Sequence, residues 1–84
     1  MVLFQLVNLT PNPVFNVADA TDAVLLRQDA VYLLRQQCYW PTRQLYVLEQ
    51  DLQQRGVQLP AGVHLVNDEQ WVELVLKAHK VILC

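Results

Sequence analysis

The residues able to do chemistry here are few. There are two cysteines, two histidines, eight acids and six Lys or Arg residues among 84, with a net charge of −2. Cys38 and Cys84 lie far apart, with no C-x-x-C and no histidine cluster beside them, so neither a zinc site nor a thioredoxin-like motif is expected. Cys38 falls on the apolar face of a predicted helix and reads as an inert thiol. Cys84 ends the sequence, where a thiol can reach a partner's sulfur. The adjacent terminal carboxylate would raise its pKa, while Lys80 pulls the other way. Both are candidate sulfur-handling residues. Asp29 follows the apolar run Val24-Leu25-Leu26 closely and reads either as a site at the carboxyl end of a strand or as a helix cap.

The remaining polar residues support little else. No glycine-rich phosphate cradle exists, since the glycines are Gly56 and Gly62. The hydroxyls Thr10, Thr21 and Thr42 suggest no Ser-His-Asp arrangement. Glu49 and Asp51 follow a predicted strand and can share an edge with Asp29. No metal-ligand spacing accompanies these acids, so no metal and no cofactor are expected. His64 reads as a packed or edge residue of a strand, and His79 as a cation near a helix end or a surface residue. The cations are scattered, with no basic stripe to neutralise phosphates, so direct nucleic-acid binding is not expected. A receiver-like role for Asp29 lacks the lysine–threonine pair it would need.

The elements that must position these residues alternate. Val2–Val7 is a near-continuous apolar run, as in strands buried on both faces of a parallel sheet. Asn8-Leu9-Thr10-Pro11-Asn12-Pro13 breaks it, and Val14–Ala20 can hold only a short helix. The second strand, Val24–Leu26, leads to a helix over Ala30–Gln37 capped by Asp29, with Val31, Leu34 and Cys38 on one face. Pro41 closes that segment. A third strand over Gln44–Leu48 runs into a helix over Glu49–Arg55, with Gly56 at its left-handed capping position. Val63–Val66 is the fourth strand. Asn67 or Asp68 caps a last helix whose Trp71, Leu74, Val75 and Ala78 share a face, and Val81–Cys84 can add a fifth strand. The predicted architecture is α/β: a small three-layer α/β/α sandwich around a mainly parallel sheet of four or five strands, one domain over residues 1–84.

Composition adds a constraint. Fully 54% of the residues are hydrophobic and only 17% charged. That is more apolar surface than so short a chain can hide. The surplus predicts an obligate oligomer subunit. No run approaches the roughly 20 apolar residues needed to span a bilayer. The opening strand has no positive leader and does not read as a signal peptide, so a reducing cytoplasm with free thiols is expected.

Three stretches carry a family resemblance. Leu25-Leu26-Arg27-Gln28-Asp29-Ala30-Val31 resembles the strand, Gln/Glu-Asp-Gly-Val, helix signature of the DsrH/TusB family, the B subunit of the sulfur-relay complex. Leu45 to Gly56 is similar to the family's third strand followed by Asp-Leu-x-x-Arg-Gly, and Val66 to Val75 to its last strand and helix. Ala30 stands where the family often has Gly. The segment between the first two strands is shortened, without the cysteine some relatives carry there. Neither Cys38 nor Cys84 matches a family motif. The resemblance implies a DsrEFH-type fold and assembly with two homologous sister subunits into a heterohexamer that passes persulfide sulfur. It further implies a largely structural B subunit, with the main sulfur-carrying cysteine on a sister. In the bacterial relay that sulfur ends as 2-thiouridine at the tRNA wobble position, whereas related complexes serve sulfur oxidation. The alternative is a small sulfur carrier or sulfurtransferase using Cys84 itself. A homo-oligomer is a further expectation for the isolated chain.

Overall fold

A computed structural model describes residues 1–9, 18–36 and 40–83. Five strands form one sheet: β1 (Val2–Leu6), β2 (Ala23–Leu26), β3 (Leu45–Leu48), β4 (His64–Val66) and β5 (Lys80–Leu83), in the order β4-β3-β2-β1-β5. All pairings are parallel, with Leu3 opposite Ala23, Val24 opposite Leu45, Tyr46 opposite His64 and Leu3 opposite Val81. This is the α/β architecture expected, with its fifth strand. The predicted short helix over 14–20 falls mostly outside the described residues.

Strand alternation builds two cores. Phe4, Leu6, Val24, Leu26, Leu45 and Val47 point to one face, under a 3-10 helix (Gln28–Arg35) and helix α1 (Glu49–Arg55). Leu3, Ala23, Leu25, Leu48 and Val66 point to the other, under helix α2 (Asp68–Lys77). The chain steps one way from β1 to β4, then returns across the sheet to place β5 beside β1. Because parallel crossovers keep one hand, that reversal puts α2 on the opposite face. Burial of both faces explains why β1 and β2 read as near-unbroken apolar runs.

Local chemistry sets the helix ends. In α2 the Asn67 side chain accepts from the Gln70 N–H, and the Gln70 side chain accepts from the Asn67 N–H, each at 2.9 Å. This reciprocal box satisfies two donors the first turn cannot. Gly56 ends α1 at φ 62°. The Val57 N–H then returns to the Leu52 carbonyl, which delivers buried Val57 to the core.

The segment after β2 departs from expectation. The predicted α-helix over Ala30–Gln37 is a 3-10 helix that starts two residues earlier. Arg27 sits at its cap position with no side-chain cap bond, and Asp29 lies in its first turn. Three residues per turn eclipse positions i and i+3, so Ala30 and Leu33 are buried together while Leu34 is only partly covered. The face expected from a 3.6-residue period, Val31 with Leu34, is therefore rotated. Its third member, Cys38, is outside the described residues.

Candidate functional site

The carboxyl ends of β1 to β4 bring Val7, Arg27, Glu49 and Asn67 to one edge of the sheet. In open parallel sheets this edge is where ligands bind. Its centre is the turn Arg27-Gln28-Asp29. Gln28 takes φ 50°. This left-handed conformation costs a residue with a side chain roughly 1–2 kcal/mol. The Asp51 carboxylate holds it there, accepting the Gln28 N–H at 2.9 Å. Asp51 comes from the first turn of α1, so the strain in the turn is held from a neighbouring element.

One arginine gathers the acids of this edge. Arg55, in the last turn of α1, donates from Nε and a terminal nitrogen to Asp29 at 3.3 Å and lies 3.7 Å from Asp51. Asp29, with two-thirds of its side chain exposed, is thus an ion-pair partner of Arg55. Glu49, expected to share the cluster, instead accepts from Gln53 one turn along its helix. A crevice of about 170 Å³ opens between the ends of β3 and β4, lined by Leu48, Glu49, Gln50, Gln53, Asn67 and Asp68.

On the α2 side of the same edge, the Arg27 guanidinium lies over the Trp71 ring, 4.1 Å from its centre. Arg27 takes part in neither of the ion pairs among the described residues. The Nε of Arg27 and the Nε1 of Trp71 are both buried without an acceptor among the described residues. Nothing in the residue pattern announces this pair: Trp71 reads only as the apolar face of a helix, and Arg27 only as a residue between strand and cap.

The other candidates lie elsewhere. His64 is exposed on edge strand β4, its ring 5.3 Å from that of Tyr46. His79 lies just beyond α2, exposed, and its Nδ1 accepts from the Met1 amine at 2.6 Å. Cys38 and Cys84 are outside the described residues. A larger cavity of about 630 Å³ lies toward the amino ends of β3 and β4, lined by Leu33, Trp40, Thr42, Leu45, Pro60 and Val63 among others. Among the described residues no helix is long and apolar enough to cross a membrane.

Fold and edge together define a small α/β protein with helices on both faces of a parallel sheet. The chain matches the sequence model of the DsrH-like proteins over residues 8–81, nearly its whole length, and belongs to that family. Membership brings a role related to sulfur relay, and members act in sulfur-relay complexes with other subunits. No curated protein gives a significant match.

Proposed function

We propose that the chain is a non-catalytic structural subunit of a cytoplasmic complex that passes persulfide sulfur for 2-thiolation of the tRNA wobble uridine. Its partners are two homologous sister subunits, in a heterohexamer. Family membership over residues 8–81 is the observation that carries this reading. The distribution of apolar surface supports it. Val72 and Leu76, on the outer side of α2, are 57% and 78% exposed, and Leu83 of β5 is 76% exposed. The first two lie four residues apart and so are neighbours on the helix surface. Large apolar side chains left in water on the α2 side of the sheet are what a subunit presents to its neighbours.

Native mass spectrometry of the tagged protein recovered from its own cells tests the assembly. A complex containing two related α/β proteins is expected. A lone monomer or homo-oligomer overturns the subunit reading and makes Cys84→Ser the next variant to assay. Nucleoside analysis of bulk tRNA tests the pathway. Deleting this chain should deplete 2-thiouridine, and an unchanged level would move the assignment to a sulfur-oxidation complex.

A further inference from the structure

We infer that the Arg27–Trp71 pair is a binding site for a small oxyanion group, a carboxylate or a sulfate-like anion, at the carboxyl edge of the sheet. Arg27 supplies the charge and Trp71 a second donor. This inference is independent of the sulfur-relay reading.

The argument starts from hydrogen-bonding capacity. A guanidinium and an indole N–H are donors only, so whatever completes them must bring acceptors. Stacking at 4.1 Å satisfies the ring face but leaves an in-plane N–H of each side chain unmet. A buried donor without an acceptor is costly, and two on one stacked pair, unmet by any described residue, call for a further partner. Three carboxylates of this edge are already engaged, the first being Glu49, which accepts from the Gln53 amide. Asp29 and Asp51 share Arg55, and Asp51 also takes the Gln28 N–H. Water could accept from either donor, but it would leave a partly desolvated cation without counter-charge. An oxyanion answers both needs, because its oxygens accept from several donors while its charge neutralises the guanidinium.

Position agrees with chemistry. Arg27 is the first residue beyond β2, and its N–H is fixed by the Leu6 carbonyl of β1 at 2.9 Å. Trp71 is held on α2, just after the Asn67–Gln70 box. The pair therefore spans two elements of defined geometry at the ligand-binding edge of an open sheet. Both residues keep part of their surface exposed while the two unmet nitrogens are covered, so an oxyanion reaches them by displacing the side chains that lie over them.

The test is an NMR titration of the ¹⁵N-labelled full chain. Trp40 and Trp71 contribute the two indole N–H signals, and Trp40→Phe assigns them. Sodium acetate and sodium sulfate are added against sodium chloride at matched ionic strength. Saturable movement of the Trp71 indole and the Arg27 Nε–H with acetate or sulfate, and not with chloride, is expected. Arg27→Gln should weaken the Trp71 response at least about tenfold, as loss of a charged hydrogen bond does, while Arg27→Lys should retain part of it. A Trp71 indole that does not move, or moves equally with chloride, overturns the inference. Repeating the titration on the complex recovered from cells identifies the source. An indole already displaced and insensitive to acetate means that a partner's carboxylate fills the site, and one that still titrates means that a free oxyanion does.

Discussion

The two ends of one sheet are built on opposite terms. At the amino end the buried polar side chains of Asp22 and Thr42 are both partnered. Asp22 accepts the N–H of Val2 at 3.0 Å and that of Asp19 at 3.1 Å, tying the start of β1 to the turn before β2. The Thr42 hydroxyl donates to the Asp22 carbonyl at 2.6 Å and accepts the Gln44 N–H, extending the tie to β3. At the carboxyl end the backbone is strained at Gln28, and two buried donors, of Arg27 and Trp71, find no acceptor among the described residues. Polar satisfaction is what a chain arranges where only stability is at stake. Strain and orphaned donors persist where something else binds. The same strands thus serve as a sealed seam at one end and an open edge at the other.

The sharpest way to break that contrast is at the seam. Asp22→Ala removes the acceptor from two backbone N–H groups at once. We expect a loss of about 3 kcal/mol in urea unfolding, from two unmet donors at roughly 1–3 kcal/mol each. Arg27→Gln at the open edge should change stability by less than about 1 kcal/mol, because it relieves one orphaned donor while losing the stack. If the two variants cost the same, the ends are not different in kind.

Sequence alone reaches the seam and the open edge unequally. Strands, the Asn67 cap and the Gly56 terminus are written in neighbouring residues: apolar runs, a side chain three positions from its partner, a residue free to take positive φ. Those features were legible, and so was the family, because its motifs are stretches of the same local kind. The Asp22–Thr42 seam and the Arg27–Trp71 stack join residues from different elements, which meet only once strand order and register are fixed. Asp51 shows how such a contact rewrites a local rule. By accepting the Gln28 N–H it starts the helical turn before Asp29, which turns an expected cap into a partner of Arg55.

That dependence yields a smaller prediction at the open edge. Among the described residues, Gln28 is the one with a side chain that holds positive φ. Gln28→Gly removes the left-handed strain, roughly 1–2 kcal/mol, and adds about 0.5–1 kcal/mol of backbone entropy to be lost on folding. The difference should appear as a gain of about 0.5 kcal/mol in urea unfolding. A clear loss instead would mean that the Gln28 side chain, and not its N–H alone, is needed at the edge.

The smallest effect belongs to the rim of the seam. Asp19 accepts from the Thr21 hydroxyl at 2.6 Å and from the Thr21 N–H at 2.8 Å. Such bonds favour the charged form of a carboxyl. The Thr21 hydroxyl, then the Thr21 N–H, lower its pKa below the ordinary 3.8. For a carboxyl whose folded value is depressed, the ionised form stabilises the fold above the unfolded value, and the contribution disappears as pH falls through the folded one. An NMR titration should therefore place the Asp19 midpoint below 3.8, and Thr21→Ala should bring it back toward that value. Stability at neutral pH should scarcely change, since Asp19 is fully exposed and water competes for its oxygens. The seam would then draw its strength from buried Asp22 and Thr42, with Asp19 and Thr21 only shaping the turn that presents them.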